Sequence, residues 1–252
     1  MFLAITSIGW GFNWPVTKFL LSELPPLTLR GVTGVLGAVL LAALALIRRQ
    51  SLKVGPGIWP RLLTAAVLNV TGWMVLMGLA LLWLPASEAA LIAYTMPVWA
   101  SIMGGNGFAA SVEKLPGIIM ALGGALGFAV GTVFSKKYPI HLPPITAAAW
   151  QIGIGCLPIS IIGLLVETTH LSLVTPVGWW LLVYSTVVQF CIAYVSWFAA
   201  LARLPASVAA IGTMAVPVIG VVASALALGE PLGPGQIAAL IFTLAAVVLA
   251  TR

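Results

Sequence analysis

The sequence contains no aspartate. Its 252 residues carry five glutamates and eleven Lys/Arg, so only 6% of positions are charged while 62% are hydrophobic. A soluble domain averages about 25% charged residues, and no soluble fold of this length could cover its surface with so few. The scarcity excludes soluble globular, disordered and nucleic-acid-binding classes and leaves a polytopic membrane protein. A net charge of +6 does not restore nucleic acid as a partner, because the cations are scattered and form no patch. They read instead as topology signals. Cysteine is nearly absent too: Cys156 and Cys191 both lie in apolar runs, as packed thiols rather than a disulfide. The two histidines, His141 and His170, fall in or beside loops. Without Asp, and with His only at the periphery, there is no positioned base or metal cluster for hydrolysis or group transfer. No enzyme, catalytic residue, metal or cofactor is therefore expected. Glu167-x-x-His170 has metal-like spacing but sits in a loop and reads as solvated. Gly123-Gly124 and the Gly153–Gly155 stretch read as close helix contacts; nothing resembles a nucleotide loop, which argues against an ATP-driven pump.

Long apolar runs are what the sequence has in abundance. A bilayer core takes about 20 apolar residues per helix, and the runs between charges and Pro/Gly breaks give nine segments: 2–22, 27–47, 60–83, 88–103, 116–135, 144–166, 178–200, 207–228 and 234–251. Short linkers force neighbours to run antiparallel. The first segment lacks a basic flank and is interrupted by Asn13, Pro15 and Lys18, unlike a cleavable signal peptide. Trp59, Trp83, Trp179 and Trp180 fall at segment ends, where indoles anchor at headgroup level.

The chain repeats itself. Pro25-Pro26 follows Lys18 as Pro143-Pro144 follows Lys136, an offset of 118; Leu84-Pro85-Ala86-Ser87 recurs as Leu204-Pro205-Ala206-Ser207, an offset of 120. Ten residues beyond each serine stands a mid-helix proline, Pro97 and Pro217. The second copy continues through Gly229-Glu230-Pro231-Leu232 into a final apolar run, whereas the first passes quickly into the Gly104-Gly105-Asn106-Gly107 stretch. A fifth helix of roughly 25–30 residues is missing from the first copy, near Ile102-Met103. Cation placement agrees: ten helices with both termini cytoplasmic divide the eleven cations 8 inside to 3 outside (Lys18, Arg30 and Lys114), against 5 to 6 for nine helices. The expected fold is therefore an all-α integral membrane protein of ten transmembrane helices in two inverted five-helix repeats, the fifth helix being absent from this sequence. Its parts are a first repeat at 1–103, an outer loop at 104–115 and a second repeat at 116–252. Inverted repeats are the plan of secondary transporters, with a substrate site near the midplane.

The run Gly9-Trp10-Gly11-Phe12-Asn13-Trp14, the Leu-Pro-Ala-Ser turn, the proline-bearing helix after it, and Gly229-Glu230-Pro231-Leu232 with Gln236 together resemble the EamA-type drug/metabolite transporters. The resemblance covers essentially the whole chain in two copies. It implies ten helices in two inverted repeats and export of amino acids and other small metabolites. The Trp- and Tyr-rich interior is similar to the bacterial aromatic amino-acid exporter branch. The chain departs from the family in lacking the first-copy Gly-Glu turn and fifth helix.

The candidate substrate-binding residues are polar or aromatic groups at membrane depth. Asn69 and Trp73 lie four apart on one helix face, and the repeat places Gln189 at the equivalent of Asn69; the alternative for the amides is helix–helix hydrogen bonding. Tyr94 and Trp99 flank Pro97, whose missing N–H opens the backbone. Trp10, Asn13 and Trp14 form a patch whose repeat counterparts, Phe128, Gly131 and Thr132, are smaller. Trp150 and Gln151 are weaker candidates, and Trp197 reads as an interfacial anchor. All five glutamates fall in loops or at helix ends, which predicts facilitated export down the substrate's gradient. A proton-coupled multidrug or metabolite carrier is the alternative. The expected setting is the bacterial inner membrane, with small metabolites and lipid as partners, no nucleic acid, and a monomeric carrier.

Overall fold

The computed structural model describes residues 1–93, 108–234, 236–238 and 240–241. Every regular element among them is helical, as hydrocarbon demands of a chain with no water to satisfy its backbone. In chain order these are α1 (Phe2–Leu20), α2 (Pro26–Ile47), α3 (Pro56–Trp83), α4 (Ala86–Ala93), α5 (Phe108–Lys137), α6 (Pro144–Val166), α7 (Pro176–Arg203), α8 (Ala206–Gly212) and α9 (Ala215–Leu228). The helices α2, α3, α6 and α7, and residues Glu113–Lys137 of α5, are each long and apolar enough to cross a membrane.

Two boundaries differ from the sequence expectation. The loop expected at 104–115 is helical from Phe108 onward: Ala109, Ala110, Glu113 and Lys114 are good helix formers, and the glycines stop before them. The segment expected as one helix over 207–228 divides into α8 and α9. Pro217 cannot bond to the carbonyl four residues back, at Thr213, and its ring collides with it. The chain accordingly turns at Thr213-Met214, with Val216 N donating to Thr213 O instead at 2.9 Å. Most of segments 88–103 and 234–251, and the chain around Ile102-Met103, lie outside the described residues.

Helix ends at one pole of the bundle are tied by side chains from elsewhere. The N-cap of α2 is Pro25, which offers no oxygen of its own; Glu167 accepts instead from Leu27 N (3.0 Å) and Thr28 N (2.7 Å). Behind Pro85, the first amides of α4, Ala86 N and Ser87 N, donate to Glu230 at 2.7 and 2.8 Å. Thr175 caps α7 through Gly178 N (3.1 Å) and donates its own hydroxyl to Glu23 (2.6 Å). Lys18, at the end of α1, donates to the last carbonyls of α3, at Leu81 and Leu84. Anions on N-termini and a cation on a C-terminus are the arrangement helix dipoles favour. At the opposite pole Arg203 lies over the Phe2 ring, and Trp150 donates to Leu52 O.

The interior contacts recur at the sequence offsets. A Cβ at Gly37 would stand 2.7 Å from Phe190 Cβ and 3.4 Å from Thr186 O; one at Gly155 would stand 2.7 Å from Val70 Cβ and 3.3 Å from Ala66 O. Moving each residue by 118 or 120 turns the first contact into the second. The same shift converts Thr71 Oγ1 donating to Gly155 O (3.1 Å) into Cys191 Sγ donating to Gly37 O (3.5 Å). Small residues allow such backbone approach where lipid supplies no hydrophobic drive for association. Replacing either Gly37 or Gly155 with Val is expected to lower stability by about 1–3 kcal/mol through overpacking, measured as a reduced melting temperature in detergent. Gly57→Ala, which meets nothing within 4 Å, should leave it unchanged.

Candidate functional site

Both α3 and α7 widen from α- to π-helical winding at matching places, Val67–Thr71 and Ser185–Ala193. Such insertions are frequent at functional sites. Each holds one of the paired amides, Asn69 and Gln189, both buried, but the two amides have different fates. Asn69 donates to Ser135 Oγ (3.0 Å) and Gln151 Oε1 (3.3 Å) and packs its carbonyl oxygen against Gly131. It is a helix–helix contact, outside the cavity. Gln189 instead accepts from Ser185 (2.9 Å) and from Arg30 Nη1 (3.4 Å), and it lines an interior cavity of about 30 Å³.

Trp10, Trp14, Trp73 and Phe128 form the aromatic wall of this cavity. Their rings meet in a continuous cluster: Trp10–Phe128 at 5.9 Å, Trp73–Phe128 at 5.1 Å and Trp14–Trp73 at 6.5 Å between centroids. Each aromatic pair contributes about 0.5–1.5 kcal/mol beyond its burial. The polar side is Asn13, Arg30, Gln189 and Tyr194; Met74, Met77 and Val216 complete the lining. Two atoms in it lack hydrogen-bond partners, the Asn13 carbonyl oxygen and Arg30 Nε. Asn69 Oδ1 is also without a partner, but it is lodged against Gly131, whereas these two atoms belong to residues that line open space. The Asn13 amide nitrogen is engaged, donating to Thr17 Oγ1 at 3.0 Å.

Of the expected residues, Trp10, Asn13, Trp14, Trp73 and Gln189 thus share one cavity. Asn69 does not. Nor does Thr132, whose hydroxyl returns to Phe128 O at 2.9 Å, or Trp150, which meets Trp59 edge to face at the far pole. Tyr94 and Trp99 lie outside the described residues. Trp197 is no interfacial anchor: it is 1% exposed and its ring contacts Trp10 and Phe128. Arg30, read from the sequence as an outer-face cation, is 3% exposed and inside the cavity.

The two classes of amide respond differently to substitution. Asn69→Leu should cost about 1–3 kcal/mol of stability by stranding Ser135 and Gln151, read as a lower melting temperature. Gln189→Ala should keep most of the stability and change ligand-dependent fluorescence of the cavity tryptophans instead.

Similarity to known proteins follows the same outline. The EamA-like transporter family matches residues 1–106 and 115–252. The uncharacterized transporter YvbV of Bacillus subtilis (strain 168) is 28% identical, covering 99% of this chain and 90% of its own. YoaV of the same organism, also named an uncharacterized transporter, is 22% identical over 86% and 84%. A protein of Salmonella typhimurium named "Probable amino-acid metabolite efflux pump" is 24% identical over 97% and 92%. One protein crystal structure superposes with a TM-score of 0.73 at 19% identity, covering 99% of this chain and 95% of that one. An all-helical, multi-pass membrane chain matched over nearly its whole length belongs to the EamA-like transporter family.

Proposed function

We propose that this protein is a secondary carrier that exports small amphipathic metabolites, amino acids and especially aromatic or other hydrophobic ones, across the bacterial inner membrane. The observation that carries the reading is the cavity itself: an aromatic wall for an apolar side chain faces unpartnered polar atoms suited to a polar head. Its volume of about 30 Å³ holds only a water or two, so loading and release require the walls to part. The amino-acid wording of the Salmonella relative's name is in keeping with this.

Alternating access between two inverted five-helix repeats is the mechanism we assign, with both termini cytoplasmic. The exchanged contacts of Gly37 and Gly155 are what a pseudo-two-fold relation between repeats would produce. The fifth helix of the first repeat is the missing piece. Lys114 of α5 pairs with Glu88 of α4 at 2.7 Å, so α4 and α5, though neighbours among the described helices, begin at the same pole. A chain that enters twice from one side has to return once between. The alignment with YvbV runs over 276 positions and uses about 250 residues of this chain, leaving about 26 positions without a counterpart here. That number is about the length of one membrane helix. The repeat equivalents of Ala86 and Ser87, Ala206 and Ser207, donate to no carboxylate among the described residues, the place a first-copy Gly-Glu turn would fill. Inserting the corresponding YvbV segment between Ile102 and Met103 is expected to raise the melting temperature and transport rate together. A destabilised, inactive product would count against the missing-helix reading.

Coupling follows from where the acids are. Glu23, Glu167 and Glu230 are bound to helix ends, Glu88 to Lys114, and Glu113 is exposed at the start of α5. No carboxylate at membrane depth can trade a proton between the two faces, and export runs down the substrate's own gradient. In proteoliposomes, phenylalanine and leucine should move at rates unchanged by dissipating a proton gradient. Transport that collapses with the gradient and is lost in Glu88→Gln would establish the proton-coupled carrier in its place.

A further inference from the structure

We infer that Arg30 is the carboxylate anchor of the cavity: its guanidinium receives the carboxylate of the transported molecule, making the substrates acids rather than amines or neutral drugs. The inference rests on the carrier reading above and narrows its substrate class. It begins from an imbalance of charge. Arg30 is 3% exposed, on the second turn of α2, and the stem of its side chain is packed closely against α3, where a Cβ on Gly78 would lie 3.3 Å from Arg30 Cγ. A buried guanidinium without a counter-ion carries a desolvation cost of several kcal/mol, and in membrane proteins such charges pair or mark a substrate path.

No acid of this chain serves it. The five glutamates are the whole supply; four are hydrogen-bonded elsewhere, and Glu113 is exposed at the opening of α5. The ionisable neighbours of Arg30 are the phenol of Tyr194 and the thiol of Cys156, neither of them a carboxylate; Nη1 makes a long bond of 3.4 Å to the neutral amide of Gln189, while Nε finds no partner. Arginine presents its donors as a planar fork matched to the two oxygens of a carboxylate. With Nε free and the fork inside a cavity, a ligand carboxylate supplies both the missing charge and the missing acceptor. The charge is also not part of the duplicated scaffold, since the repeat offset places Ala148 opposite Arg30. Gln189, held by Ser185 at 2.9 Å, keeps the guanidinium turned inward. The aromatic wall of Trp10, Trp14 and Trp73 borders the same space, so a molecule with a carboxylate at one end and an apolar group at the other spans both.

The test compares phenylalanine with phenylalaninamide, which keeps the ring and the amino group and loses only the carboxylate. Binding to the purified protein is followed by quenching of its tryptophan fluorescence, and transport is followed in proteoliposomes. Wild type should bind the acid about tenfold or more tightly than the amide. In Arg30→Gln that ratio should fall close to one, and Arg30→Lys, which keeps the charge without the fork, should retain part of it. Because the wild-type comparison needs no variant, it decides the matter even if Arg30→Gln fails to fold. Acid and amide handled alike by wild type, or a preference untouched in a folded Arg30→Gln, would overturn the anchor and leave the carrier standing. If wild type transports neither phenylalanine nor leucine nor their amides, the amino-acid carrier reading falls, and the anchor falls with it.

Discussion

Inside a bilayer a polar group has to find its partner within the protein, because the surrounding hydrocarbon offers none. In this chain that constraint falls on very few side chains. Helices α2 and α4 begin directly behind prolines, Pro25 and Pro85, which fix the entering backbone but cannot cap it. Their first amides are taken by carboxylates remote in sequence, Glu167 and Glu230. A capping interaction is worth about 0.5–2 kcal/mol, and one made by a carboxylate is of the stronger, charge-assisted kind. Each also fixes where two helices end relative to one another: Glu167 sets the end of α6 beside the start of α2, and Glu230 sets the chain after α9 beside α4. Lys18 does the same from the other sign of charge, joining the ends of α1 and α3. Three of the five acids, Glu23, Glu167 and Glu230, are the fastenings of one pole of the bundle.

Much of the architecture was legible because it depends on the commonest residues. Apolar runs and the Pro-Pro and Leu-Pro-Ala-Ser landmarks locate α1, α2, α3, α6 and α7 to within a few residues of their ends. The break at Thr213-Met214 is implicit in Pro217, although a proline alone fits a kink within a single helix as well as a break. The site was legible by type more than by fate. Asn69 and Gln189 stand out as a matched pair, yet which of the two faces space depends on partners from other helices: Ser135, Gln151 and Gly131 around one, Arg30 around the other. Arg30 was missed because a cation near a helix start looks like a topology signal. Recognising it requires knowing that Gly78 lets α3 close over its stem and that all five acids are placed elsewhere. Trp197 resembles an interfacial anchor for a related reason, since depth along a helix does not reveal that Trp10 and Phe128 enclose it.

The two halves, compared position by position, show how a duplicated scaffold comes to hold a one-sided site. Their common part is apolar and close-packed, with Gly37 and Gly155 making equivalent contacts. Around the amides the equivalence stops. At Asn69 the neighbours are Ser135, Gln151 and Gly131, and the small glycine lets the amide settle against backbone while its nitrogen is shared between two acceptors. The repeat offsets put Thr17, Thr33 and Asn13 in the corresponding places around Gln189. There Thr33 bonds back to Leu29 O at 2.6 Å and Thr17 accepts from Asn13, and the hydrogen bonds of Gln189 among the described residues run to Ser185 and Arg30 instead. The longer amide reaches Arg30 instead, where the other half has Ala148. One half commits its amide nitrogen to contacts between helices and leaves the amide oxygen lodged against Gly131 without a donor. The other leaves a guanidinium nitrogen and an amide oxygen unpaired beside an aromatic wall, a cost of about 1–3 kcal/mol for each that a bound polar molecule would recover. The shared backbone geometry sets where the two amides lie, and a handful of unshared side chains decides which of them faces the cavity.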